Sequence, residues 1–160
     1  MTAYAFRPMS APDLPTIQRW LGTPHVSEWW QDPSQQFEFV SGDLGHPDMA
    51  QYIVTADARE FAYLQCYNVS AWDTGFGAQP EGTRGLDQFI GEADMLDRGH
   101  GSAFIRIFAD RLLTAGTPRV VIDPDPANTR AVRAYERAGF CRDRIVDTLD
   151  GPALLMLRDP

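Results

Sequence analysis

Apolar residues recur along this chain with two different periods, and the switches between them mark its elements. Ala3 to Met9 alternates and begins with aromatic residues, which predicts a first strand. Leu14, Ile17 and Leu21 then fall three and four apart, the stripe of a helix that Ser10 caps, Pro12 and Asp13 open, and Gly22 ends. Thr23-Pro24 restarts a short helix through Trp30, whose neighbour Trp29 must point in a different direction, so the two cannot share one core. Residues 31–48 predict a helix of undefined length followed by a loop. Ala50 to Ala56 and Phe61 to Val69 read as two strands of a hairpin joined through Asp57-Ala58-Arg59-Glu60. Ser70 to Gly82 has no periodicity and reads as a mobile loop.

The second half repeats the alternation of strand and helix. Arg84 to Gly91 is a strand that carries an acid, Asp87, in its interior. A helix follows with the stripe Phe104, Ile107, Phe108, Leu112 and Ala115, closed by Gly116. Arg119 to Asp123 is a short continuous apolar run, suited to a buried strand parallel to the one before the helix. Asp125-Pro126-Ala127-Asn128 breaks the chain and caps a last helix, Thr129 to Ala138, which Gly139 stops. Phe140 to Thr148 and Ala153 to Leu157 are strands around Asp150-Gly151-Pro152. This order predicts an α+β domain, one domain over residues 1–160, built around a single mixed sheet.

Composition narrows the function. A 160-residue chain with 44% apolar and 22% charged residues can bury a full core without staples. Its formal charge of −8, with only 14 basic residues, argues against a nucleic-acid partner. It suits a cationic small molecule, or simply keeps the protein in solution. Cys66 and Cys141 are isolated, and His25, His46 and His100 are scattered, so neither a disulfide framework nor a metal site is expected. The sequence has no secretory leader pattern and no stretch approaching a membrane span, so a cytoplasmic protein is expected.

Two local features carry chemistry. Arg98-Gly99-His100-Gly101-Ser102 leads a loop straight into a helix. Glycines there let backbone N–H groups converge, and the helix adds its unpaired amides and the positive end of its dipole: an anion site that would suit a pyrophosphate. Asp87, in mid-strand, is unfavourable unless solvated, paired or used. It is either a working carboxylate or an ion-pair partner of Arg84. Asn128, Ala131 and Tyr135 share one helix face, where Tyr135 is either core or functional. Asp123 is either a site acid or the cap of the turn at Pro124, and Asp150 is either a site acid or an ordinary hairpin residue.

Taken together, the strand, the Gly-x-Gly loop entering a helix, the next strand and Asn128-x-x-Ala131-x-x-x-Tyr135-Glu136-x-x-Gly139-Phe140 resemble the GCN5-related N-acetyltransferase (GNAT) superfamily. R-G-L-D-Q at 84–88, I-D-P-D-P-A-N-T-R-A-V-R-A-Y-E-R-A-G-F at 122–140, D-G-P-A at 150–153, E-W-W at 28–30 and Q-Y-I-V at 51–54 are similar to its aminoglycoside 6′-N-acetyltransferase branch. The chain departs from the wider superfamily's signature at Leu96, where that signature has Gln or Arg but the aminoglycoside branch departs likewise, and it is atypical at His100 and in shorter or altered segments at 30–52 and 70–83.

The resemblance implies a mixed, mostly antiparallel sheet of about seven strands flanked by about four helices. It implies acetyl-CoA as co-substrate, no metal, and a monomer or homodimer. Amides of Arg98, Gly99, His100, Gly101 and Ser102 would bind the coenzyme A pyrophosphate. Gln88, Phe89 and Ile90 would line the pantetheine and acetyl group, with Asn128 bonding along the arm. Asp87 would accept the amine's proton and Tyr135 would protonate the leaving thiolate. Trp30, Asp123 and Asp150 would hold the cationic acceptor. The implied reaction is direct acetyl transfer to a primary amine, with an aminoglycoside as first acceptor. A metabolic amine such as a hydroxylysine precursor or a polyamine is the alternative, and a non-catalytic coenzyme A sensor the third reading. The chemistry is consistent with a chain that has no nucleophile elbow. An alkylamine of pKa near 10.4 is free base in only roughly four molecules per ten thousand at pH 7, so a site carboxylate is needed more than a covalent nucleophile.

Overall fold

A computed structural model describes residues 1–160. Seven strands form one sheet: β1 (Tyr4–Pro8), β2 (Met49–Ala56), β3 (Arg59–Asn68), β4 (Arg84–Ile90), β5 (Val120–Ile122), β6 (Cys141–Thr148) and β7 (Gly151–Arg158). Their order is β1-β2-β3-β4-β5-β7-β6. Five helices accompany them: α1 (Leu14–Leu21), the four-residue α2 (Pro24–Ser27), α3 (Pro33–Gly42), α4 (His100–Thr114) and α5 (Thr129–Arg137). The mixed α+β class is as predicted. β4 and β5 run parallel, as their separation by a helix requires, while β1–β2, β5–β7 and β6–β7 are antiparallel.

The backbone gathers into two compact units, residues 1–66 with 88–98 and residues 67–87 with 99–160. In the first, α1 turns Ile17, Trp20 and Leu21 inward onto Val26, Val40, Ile53, Tyr63 and Phe89. The undefined stretch after residue 31 forms α3, begun by Asp32, whose side chain accepts the Gln35 amide at 3.3 Å, and by Pro33 in its first turn. The β2–β3 connection is tighter than its sequence suggests. Only Asp57 and Ala58 lie in the turn, both at positive φ (47° and 68°), the geometry of a type I′ hairpin. The Asp57 carboxylate also takes the Ala3 amide at 2.9 Å.

In the second unit the buried face of α4 is Phe104, Ile105, Phe108 and Ala109, rotated from the predicted stripe. Apolar residues border that stripe on both sides, and periodicity does not say which border packs inward. The β6–β7 hairpin closes through Leu149 and Asp150, with Gly151 already inside β7 at φ +103°. Residues 70–82, expected to be mobile, are tied down. Phe76 is 2% exposed, its carbonyl accepts from Arg144, and a Cβ on Gly75 would stand 2.2 Å from the Asp147 carbonyl oxygen. All 14 basic side chains of the chain are arginines, and several form forks on carboxylates: Arg7 on Asp13, Arg59 on Asp94 and Arg119 on Asp159.

Candidate active site

Two carboxylates from separate strands meet in the second unit, and a third lies within range of their charge. β4 and β5 pair with Arg84 opposite Val120 and Gly85 opposite Val121. Carried two residues on, this parallel register brings Asp87 level with Asp123. The two side chains are hydrogen-bonded to each other, and the charge of Asp150, on the β6–β7 turn, acts on the same group. Burial, the neighbouring Asp87 carboxylate, the hydrogen bond to it and the Asp150 charge raise the Asp123 carboxyl well above the usual carboxylate range. Like charges this close cannot all ionise freely, so the pair retains a proton that an isolated aspartate would have lost. Such a pair suits an ammonium group, whose arrival compensates the repulsion. Arg84 lies an odd number of residues from Asp87 and so on the other face of the strand, which sets aside the ion pair that the sequence left open. Asp125, not Asp123, braces the turn, accepting the Ala127 amide at 2.9 Å.

Around the carboxylates, Tyr67 lies over Gly85, where a Cβ would meet its ring at 2.2 Å, and takes Trp72 edge-on at 5.8 Å between centroids. The segment from Asn68 to Thr83 lines an open cavity of about 540 Å³, with Trp72, Asp73, Gln79 and Glu81 among the residues that face it. On α5, Asn128 caps the helix, its Oδ1 accepting the Ala131 amide at 3.2 Å, and Tyr135 is 5% exposed against Phe140. α4 begins at His100 after Gly99, whose φ of +79° with open space about it shows a residue selected for conformation rather than for room. The Ser102 hydroxyl bonds back to the Gly99 carbonyl at 3.2 Å, and Arg98 is exposed just before. The amides of His100, Gly101 and Ser102 open the 15-residue helix, as an anion site requires.

The first unit holds the remaining candidates. Gln88 and Ile90 are half-buried and Phe89 is 5% exposed. The Phe89 ring stacks on Tyr63 at 5.3 Å and meets the edges of Trp30 at 5.1 Å and Trp20 at 6.2 Å. Trp30 is thus the tryptophan turned onto the aromatic cluster, and Trp29 the more exposed one. Beneath the cluster runs a polar chain. Gln51 Nε2 donates to the Val40 carbonyl (2.8 Å) and to the Tyr63 hydroxyl (3.0 Å), which donates to Gln65 at 2.7 Å. His25 Nε2 donates to the Ile90 carbonyl at 2.9 Å. Tyr63, Gln51 and His25 were not singled out from the sequence. Gln51 opens the Q-Y-I-V motif, but neither that motif nor a histidine in a polar stretch signals which backbone group the side chain will hold.

A profile of the acetyltransferase (GNAT) domain family matches residues 10–148. The chain is a GNAT acetyltransferase. Among its relatives in this family, an aminoglycoside N(6′)-acetyltransferase type 1 of Klebsiella pneumoniae is 30% identical over 162 residues, covering 95% of this chain and 81% of that protein. A kanamycin resistance protein of Rhizobium radiobacter is 40% identical over 78 residues, 48% of this chain and 72% of that one. The crystal structure of aminoglycoside acetyltransferase AAC(6′)-Ib with coenzyme A and kanamycin superposes with a TM-score of 0.87 at 30% identity, covering 98% of this chain and 95% of that one. The GNAT assignment makes the protein an N-acetyltransferase with acetyl-CoA as co-substrate, and no helix in it is long and apolar enough to cross a membrane.

Proposed function

We propose that this GNAT enzyme transfers acetyl from acetyl-CoA directly to a primary amine of an aminoglycoside, and that it does so in the cytoplasm without a nucleic-acid or membrane partner. The observation that carries the reading is the Asp87–Asp123–Asp150 cluster; the same unit holds a cavity with acids of its own, Asp73 and Glu81. The relatives named for aminoglycoside acetylation and for kanamycin resistance support the same acceptor.

Acetyl-CoA supplies an activated carbonyl that an amine attacks without any covalent enzyme intermediate. The residues present fit it: helix α4 offers its first amides to the pyrophosphate, and Gln88, Phe89 and Ile90 offer an extended edge to the pantetheine and acetyl group, with Asn128 beside the arm. The acceptor enters as an ammonium and is held by the three aspartates and Trp30. Asp87 takes its proton, directly or through water, because an amine bearing that proton has no lone pair. The amine nitrogen bonds to the acetyl carbon, the carbon–sulfur bond breaks as Tyr135 gives its proton to the departing sulfur, and the second proton shed by the nitrogen passes through water to restore the Tyr135 phenol. Backbone donors at β4 answer the charge that develops on the carbonyl oxygen, and alignment supplies the rest of the rate.

Thiol release from acetyl-CoA, with kanamycin and tobramycin beside spermidine and hydroxylysine, tests the proposal. Turnover of the antibiotics at micromolar KM supports it; turnover of only the other amines overturns the acceptor. Asp87→Asn is expected to lower kcat/KM by about a hundredfold or more, in the range of a lost general base. Survival of activity within a few-fold in both Asp87→Asn and Tyr135→Phe rejects the mechanism.

A further inference from the structure

The end of β4 is held by side chains that the reaction does not use. The peptide plane between Ile90 and Gly91 is fixed at both of its ends. Its carbonyl oxygen accepts from His25 Nε2 at 2.9 Å, and its N–H, that of Gly91, donates to the Phe61 carbonyl at 2.8 Å. Because a carbonyl only accepts, His25 carries its hydrogen on Nε2. His25 is itself fixed, since it lies in α2 directly after Thr23 and Pro24, and the Thr23 hydroxyl is bonded to the Trp20 carbonyl at 2.6 Å. Trp20 closes the remaining freedom. Its ring fills the space beside Gly91, where a Cβ would lie 2.1 Å from Cδ2, and its Nε1 donates to Glu92 at 3.3 Å. A plane held in this way limits rotation at Ile90, and so fixes the direction of the amides that precede it.

We propose that His25 is a positioning residue for acyl transfer, acting through the Ile90 carbonyl to aim the Gln88–Ile90 backbone at the acetyl thioester. This rests on the reading that β4 amides face the thioester. Catalysis by fixed dipoles depends on direction, and small misplacements cost more in kcat than in binding. His25 therefore belongs to kcat rather than to the KM for acetyl-CoA.

The test compares the wild-type enzyme with His25→Gln and His25→Leu. Glutamine can place its Nε2 where the imidazole Nε2 stands and keep the donor; leucine cannot. The first readout needs no acceptor: the carbonyl stretch of bound acetyl-CoA carrying ¹³C at the acetyl carbonyl, measured by difference infrared. The expected result is a stretch lowered on binding in wild type and in His25→Gln, and a shift largely lost in His25→Leu. In turnover, kcat falls about tenfold or more in His25→Leu, recovers in His25→Gln, and the acetyl-CoA KM stays within about twofold throughout. A full infrared shift in His25→Leu, or equal losses in both variants, overturns the proposal. Should the leucine variant not fold, His25→Asn, which places its amide nearer the Nδ1 position, replaces it against His25→Gln with the same expectation. If the enzyme binds acetyl-CoA but turns over no antibiotic, the acceptor reading fails while the infrared comparison still decides this one. If acetyl-CoA does not bind wild type, both fail.

Discussion

Asp123 stands where its charge is least favourable, between Asp87 and the field of Asp150. Its carboxyl is raised in the folded chain, so its contribution to stability is complete below the ordinary carboxylate pKa and is lost as pH rises toward the folded value. Asp123→Asn is therefore expected to raise Tm at pH 7 by roughly 2–4 °C, with the gain closing as pH falls toward 4, in paired thermal melts. The same variant should weaken acceptor turnover, a trade of function against stability. In the wild type, kcat/KM for the amine should rise with pH as the Asp87–Asp123 pair gives up its proton, and a profile flat from pH 5 to 8 contradicts the shared proton. The sequence marks Asp87, Asp123 and Asp150 as candidates, but their coupling was not readable there. It depends on a strand register that pairs residues far apart in the chain, whereas spacing rules act only along one element.

Elements were the more legible level. Strand and helix periods placed all seven strands, and Gly116 and Gly139 end their helices at positive φ as expected. Tertiary contact made the differences. The glycines and proline of residues 70–82 signal the absence of regular structure, yet Phe76 and Arg144 anchor the segment from outside it. The β2–β3 turn was read as four residues because Arg59 and Glu60 are polar, when both already belong to β3. That turn holds Ala58 at φ +68°, a conformation an alanine adopts at a cost of about 1 kcal/mol. Ala58→Gly should relieve it and stabilise the chain by about 0.5–1 kcal/mol, since Asp-Gly suits a type I′ turn. A denaturant midpoint that moves downward contradicts this account of the turn. Conversely, Gly91→Ala must displace the Trp20 ring and should cost about 1–3 kcal/mol.

At the scale of the molecule, a net charge of −8 faces, in the proposed reaction, a polycationic acceptor and an anionic donor. Added salt should raise the KM for the aminoglycoside steeply, because screening removes attraction that acts over about 10 Å. The KM for acetyl-CoA should respond much less, its phosphates being met at the short range of helix amides. Equal salt responses for both substrates would contradict that division. The arginine-only complement of basic side chains has a consequence of its own. A chain that handles a reactive thioester, with a site built to acetylate amines, carries no amine in its side chains. Guanidinium groups stay protonated above pH 12 and share their charge over three nitrogens, which leaves them inert toward the thioester. Its basic surface groups are thereby inert toward its own reagent, and its fork-like ion pairs cannot be dismantled by the modification it performs on others.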